Sequence, residues 1–204
     1  MDTPLTLFAD RRVLRPREFS AALGRQVARE ALARSAELVV DLGTGVGVAA
    51  LTMATHAPGI EVWATELRPE ALEVARRNAQ ENGLEVSFAL GDWFDALPDR
   101  LRGRVDIAVA TPPYLTPEQY AAEPNHVREN TPYLAMVGGP TGLEPARALA
   151  AQAPTWLRGG GALYLEVHPG MIEATAGLLA DADYEVETNR WMSLMVARLP
   201  EAPS

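Results

Sequence analysis

Fourteen residues constrain the fold of this chain more than any others: Glu37-Leu-Val-Val-Asp-Leu-Gly-Thr-Gly-Val-Gly-Val-Ala-Ala50. An apolar, β-branched segment (Leu38, Val39, Val40) runs through glycines at 43, 45 and 47 into an alanine-rich stretch, which reads as strand, tight loop and helix. Such a turn binds nucleotides. A dinucleotide fingerprint, G-x-G-x-x-G/A, needs a small third residue where helix packs on strand, and counting from Gly43 puts Val48 there. Asp41, two residues before the first glycine, sits where a pyrophosphate would come closest, so a ligand with a positive end and no phosphates suits the turn better. The glycines let backbone approach the ligand, because no Cβ stands in the way. A plain strand-to-helix turn is the alternative if nothing downstream agrees.

The arrangement resembles motif I of class I S-adenosylmethionine-dependent methyltransferases, whose ligand carries a sulfonium and an ammonium. Length and composition are compatible with that. At 204 residues and 22.0 kDa, with 48% hydrophobic and 22% charged residues, the chain fits one domain: residues 1–35 as an N-terminal segment and helix, 36–204 as the catalytic core. No stretch is long enough to span a bilayer, and Met1-Asp-Thr-Pro4 lacks the basic-then-apolar pattern of a signal peptide, so a cytoplasmic protein is expected. Cysteine is absent, which excludes disulfides, thiolate metal sites and a thiol nucleophile. His56, His126 and His168 lack metal-ligand spacing, so no metal is expected. Net charge is −9 and all 18 basic residues are arginine, with no basic stripe. The electrostatic footprint of a duplex nucleic-acid binder is missing, which counts against DNA as the acceptor.

In chain order, Pro4 to Leu14 is short and mixed around an Asp10-Arg-Arg turn, and Arg17 to Ser35 is a helix in which Gly24 is a weak point. The start of that helix offers free backbone donors, and Ser20 can add a hydroxyl; a bare helix start is the plainer reading. Val48 to His56 is the next helix. Ile60 to Glu66 is a second strand whose terminal acid lies about twenty residues beyond the glycine loop, the offset of a ribose-binding carboxylate. Glu66 is otherwise a solvated charge at the start of the helix that Arg68-Pro-Glu opens and Asn82-Gly83 ends. Leu84 to Leu90 alternates like a third strand and runs into Gly91-Asp-Trp-Phe-Asp95, where Asp92 can accept from an adenine amino group and Trp93 can cover a ring face.

Val105 to Ala110 is a buried fourth strand that stops at Thr111-Pro-Pro-Tyr114. Two successive prolines donate no backbone hydrogen bonds and hold the chain extended, which frees the surrounding carbonyls to point into a site. Such a corner can hold a planar nitrogen between acceptors while the tyrosine ring packs on its face. Its bland reading is a strand stop. Leu115 to Thr141, punctuated by Pro117, Pro124, Pro132 and Pro140, is too long for a plain connector and reads as a substrate-covering loop carrying His126, Arg128 and Glu129. Gly142 to Leu157 follows as a helix ended by Gly159-Gly-Gly161. Then come a fifth strand over Ala162 to Val167, a last helix over Met171 to Asp181, and a closing antiparallel pair over Tyr184 to Thr188 and Trp191 to Leu199.

With Thr111-Pro-Pro-Tyr114 in place, the sequence resembles the HemK/PrmC family, glutamine-amide methyltransferases of translation release factors, which carry Asn-Pro-Pro-Tyr at this position. The likeness covers nearly the whole chain from Val13. Pro16-Arg17 match the segment before the family's first helix, with Ser20 where the family has threonine and without its acidic residues there; Asp41 to Gly47 match motif I; Glu66, Asp92 to Phe94, Gly138 to Leu143 and Leu165-Glu166 match its later elements. The resemblance implies a Rossmann-like α/β fold: a seven-stranded, mostly parallel sheet with one antiparallel strand and helices on both faces. It implies S-adenosyl-L-methionine, held by Ser20, Asp41, Gly43, Thr44, Gly45, Gly47, Glu66, Leu67, Asp92, Trp93 and Thr111. Pro112, Pro113, Tyr114 and His126 would meet the acceptor, with Thr111, Pro112 and Tyr114 at the chemistry.

Two departures bear on the acceptor. Thr111 replaces the family's asparagine, so a hydroxyl stands where a side-chain amide would orient a planar NH2 group. Too few residues precede Arg17 to build the helical release-factor-docking domain of bacterial members. The leading expectation is therefore N-methylation of an amide or amino group on a small molecule or peptide. Methylation of a release-factor glutamine, O-methylation with His126 or His168 as base, and a non-catalytic cofactor-binding module are the alternatives. The expected geometry has strand ends at Asp41, Glu66 and Asp92 around the adenosyl sulfonium, its methyl toward residues 111–114.

Overall fold

The computed structural model describes residues 5–10, 13–190 and 192–200; Arg11, Arg12 and Trp191, which the expected first turn and last strand include, lie outside these. Seven strands run in the order β3-β2-β1-β4-β5-β7-β6. By contact the chain divides into two compact units, Met1–Leu97 and Pro98–Ser204. Among the described residues no helix is long and apolar enough to cross a membrane.

In the first unit, α1 (Glu18–Ala33) precedes β1 (Leu38–Leu42), α2 (Val48–His56), β2 (Glu61–Glu66), α3 (Pro69–Glu81) and β3 (Ser87–Leu90). β1 pairs with β2 and β2 with β3, both in parallel. All five residues of β1 are buried, because a parallel strand covered on both faces has no solvent side and so reads as a continuous apolar run. Gly24, expected to weaken α1, is instead where α1 meets α2: a Cβ there would stand 2.8 Å from both Ala49 O and Thr52 Cβ. The third strand starts at Ser87, three residues later than the alternation from Leu84 suggested.

The N-terminal segment is tied down by two asparagines one turn apart, Asn78 in α3 and Asn82 at its C-terminal cap. Asn78 Nδ2 donates to Phe8 O (3.1 Å) and Val46 O (2.9 Å), and its Oδ1 accepts from Phe8 N (2.8 Å). Asn82 Oδ1 accepts from Thr6 N at 2.9 Å, and Asn82 Nδ2 donates to Thr6 O at 2.8 Å. Asn78 is fully buried, so truncation strands three backbone groups. Asn78→Ala is expected to cost on the order of 3 kcal/mol, read as a lowered urea midpoint at unchanged m-value.

The second unit contains β4 (Val105–Ala110), α4 (Pro117–Ala122), α5 (Asn125–Asn130), α6 (Glu144–Trp156), β5 (Leu157–Glu166), α7 (Ile172–Ala180), β6 (Glu185–Asn189) and β7 (Leu194–Arg198). β5 lies parallel to β4, and β7 runs antiparallel to both β5 and β6, which supplies the expected antiparallel strand. Two expectations are corrected. Residues 115–141 are no open loop: Thr116 and Gln119 make a reciprocal capping box with Pro117 in the first turn of α4, and Pro124 precedes α5. Gly159 to Gly161 do not end a helix. α6 ends at Trp156, β5 begins at Leu157, and the glycines occupy the irregularity between the pairs Val105↔Leu157 and Ile107↔Ala162, with Gly160 at φ +69°.

Candidate functional site

The carboxyl ends of β1, β2 and β3 are laced together. Gly43 N and Thr44 N both donate to Thr65 O at 2.9 Å, and Gly91 N donates to Glu66 O at 3.0 Å. Glu66 Oε2 accepts from Gly45 N at 2.8 Å, and its Oε1 accepts from Arg68 N at 3.0 Å. The second-strand acid thus holds the glycine loop from below while itself only 8% exposed. Gly43, Gly45 and Gly47 all have positive φ (72°, 58° and 92°), a region that side chains resist. Around Gly45 an added Cβ would meet nothing within 4 Å, so open space borders the loop where a ligand would lie.

Asp41 is directed inward. Its Oδ2 accepts from Thr44 Oγ1 at 2.6 Å and from Ala50 N at 3.1 Å, which locks the loop onto the first turn of α2. Burial pushes its carboxyl from 3.8 up to about 6; the hydrogen bonds from Thr44 and Ala50 oppose the rise and the Glu66 charge adds to it. A folded value above the unfolded one means that this residue's stabilising proton uptake is complete below about pH 3.8 and is lost as pH climbs through about 6. The difference amounts to about 3 kcal/mol. Asp41→Asn should therefore gain on the parent in unfolding free energy as pH rises from 4 to 7. Parallel urea-derived curves across that range would contradict the shift.

Trp93 takes a left-handed φ of 40°, and its ring lies on the loop: a Cβ at Gly43 would be 2.9 Å from Trp93 Cζ3. A bulky residue in that region carries strain, and such strain gathers at ligand clamps. Asp92 is exposed, its carboxyl raised by partial desolvation and then by the Asp95 charge. Leu67 and Leu90, on the turn after β2 and at the end of β3, are each 53% exposed, an apolar edge beside the acids. Ser20 is the third residue of α1, half-buried, with its N–H bonded to Arg17 O at 3.1 Å.

In the second unit the corner Thr111–Tyr114 follows β4, with Pro112 buried and the other three half-buried. It is braced by glycines. Leu115 N donates to Met136 O and Gly138 N to Leu115 O, both at 2.9 Å. A Cβ at Gly138 would fall 2.3 Å from Pro113 O, and one at Gly142 2.2 Å from Tyr114 O, so backbone touches backbone there. The Tyr114 ring stands 5.5 Å from that of His168, whose Nδ1 accepts from Gly170 N at 3.1 Å. Beside them opens a cavity of about 420 Å³, lined by Tyr114, Leu115, Gln119, Glu123, His168 and Met171 among others. His126 sits on exposed α5 and is not among the lining residues.

Sequence reasoning did not place Gln119, Glu123 and Met171 in the cavity lining, because nothing local marks a residue that the fold brings to a corner elsewhere in the chain. The inward orientation of Asp41 was signalled by Thr44, a hydroxyl three residues on. The Asn78 and Asn82 pair was signalled by two asparagines at helical spacing.

The family described as methyltransferase small domain matches residues 22–138, more than half of the chain. The chain belongs to this family. Among curated relatives of this methyltransferase small domain chain, the release factor glutamine methyltransferase of Cereibacter sphaeroides is 39% identical over 179 residues, covering 84% of this chain and 63% of that protein. The enzyme of the same name from Deinococcus radiodurans is 38% identical over 181 residues, 89% of this chain and 63% of the relative. The chain thus spans less than two thirds of the length of either relative. The methyltransferase from Pyrococcus furiosus superposes with a TM-score of 0.55 at 19% identity, over 84% of this chain and 80% of that one, a likeness of fold.

Proposed function

We propose that this chain transfers the methyl of S-adenosyl-L-methionine to a nitrogen, an amide or amino group of a small molecule or peptide, with both units serving one methyltransferase domain. The observation that carries the reading is the hydrogen bond of Gly45 N to Glu66 Oε2, which fixes a glycine loop and a strand-end acid to each other at the edge of open space. That cradle suits an adenosyl ligand with a positive centre: acids and apolar surface, and no basic residue within the loop. Glu66 would take the ribose hydroxyls, with Leu67, Asp92 and Trp93 around the adenine and Gly43, Thr44, Gly45 and Gly47 presenting backbone to the amino-acid end. Asp41 acts by shaping the loop through Thr44 and Ala50, and Ser20 supplies a hydroxyl from α1.

When bound, the sulfonium supplies an already activated methyl. The work left to the chain is to aim a lone pair and exclude water. Thr111, the Pro112 carbonyl and the Tyr114 ring would orient the acceptor nitrogen, and the glycines at 138 and 142 keep that corner from shifting. A second reading, a release-factor glutamine as acceptor, is favoured by the names of the relatives at 38–39% identity. Transfer of labelled methyl to a glutamine peptide, a free amide, a primary amine and an alcohol tests these. Label on the amine or a free amide supports the leading reading; label on the glutamine peptide, raised at least about tenfold by Thr111→Asn, supports the second, since an amide pair there both donates and accepts. No label on any nitrogen contradicts both.

A further inference from the structure

The cavity beside Tyr114 is lined by one acidic side chain. Among the lining residues only Glu123 carries a carboxylate, while Gln119 is neutral and Leu115, Ala122 and Met171 are apolar. Several acids of the second unit are engaged: Asp106 with Arg158, Glu173 with Arg190, Glu187 with Arg198, and Glu144 with the backbone and hydroxyl of Thr141. Glu123 lines the cavity instead. The arginine that reaches this residue, Arg128, donates its Nε–H to the Glu123 backbone carbonyl at 3.1 Å and its terminal nitrogen to Asn125 Oδ1, leaving the carboxylate without an ion pair among the described residues.

Two further features favour a cation in this space. The ring of Tyr114 lines it, and a tyrosine face attracts a positive group. The chain's net charge of −9 adds a long-range field of the same sign. At about 420 Å³ the cavity is at the small-molecule scale rather than that of a folded partner. We propose that Glu123 is the specificity-determining residue of the acceptor pocket, and that the acceptor bears, apart from the neutral nitrogen that takes the methyl, a cationic amine or guanidinium group which this carboxylate holds in the cavity that Tyr114 lines. The proposal rests on the methyltransferase reading and narrows it, since a neutral acceptor would leave Glu123 desolvated and unpaired.

Phenethylamine and its neutral counterpart 2-phenylethanol serve as probes, titrated by ligand-observed NMR into the full chain and into Glu123→Gln. The amine is expected to bind at least about tenfold more tightly than the alcohol, with the preference weakening in added salt and vanishing in Glu123→Gln while alcohol binding stays unchanged. Equal binding of the two probes, no saturable amine binding, or an amine preference that survives Glu123→Gln overturns the assignment. S-adenosyl-L-methionine titrated into the same preparation separates the failures. Cofactor uptake without amine preference removes only the pocket assignment, whereas no cofactor uptake removes the methyltransferase reading and this inference together.

Discussion

Glu66→Ala is expected to weaken S-adenosyl-L-methionine binding by roughly 100-fold, because two effects add. The carboxylate that would accept from the ribose is gone. The same substitution strands Gly45 N–H and Arg68 N–H, now bonded at 2.8 and 3.0 Å, so the glycine loop keeps only its backbone tether to β2 through Thr65 O. A charged acceptor contributes roughly 1.5–3 kcal/mol per hydrogen bond when its loss leaves partners unsatisfied. Glu66→Gln keeps one acceptor but turns its NH2 toward one of the two donors, so its affinity should fall between parent and alanine variant. Isothermal titration reads all three; equal affinity in parent and alanine variant would show that Glu66 neither meets the ligand nor holds the loop in its binding form.

Gly142→Ala should lower methyl transfer by roughly 100-fold or more while leaving cofactor affinity at the parental value. The added carbon would stand 2.2 Å from Tyr114 O and 3.4 Å from Met171 Cε, at a residue whose φ is +75°. A main-chain carbonyl cannot rotate away as a side chain can, so the corner at 111–114 must move. A displacement near 1 Å is enough to cost that much in a reaction that depends on alignment. The proposed cofactor cradle draws on Ser20 and residues 41–93, none of them in the displaced corner, so binding and transfer should separate. Parental turnover in this variant, or joint loss of binding and transfer, would contradict the assigned division of labour.

The legible parts of this molecule were those written locally. Residues 37–50 specify strand, loop and helix through apolar run, glycines and alanines, and α2 lies over Val48–His56 as expected. The position of Glu66 was legible: it ends β2 as expected, where it holds Gly45 of the glycine loop. What escaped was set by tertiary context. The triple glycine at 159–161 reads as a helix stop, yet β4 pairing makes it a strand irregularity. Gly24 reads as a propensity defect until Ala49 and Thr52 are placed against it. The prolines at 117 and 124 read as loop punctuation, although with Thr116 and Gln119 the first also carried the grammar of a helix start.

The central claim is that the laced ends of β1, β2 and β3 hold an adenosyl sulfonium. Calorimetric titration of the full chain with S-adenosyl-L-methionine tests it most directly. One saturable site per chain is predicted, retained in Gly142→Ala and severely weakened in Glu66→Ala. Absence of saturable heat from the well-folded parent chain would contradict the account.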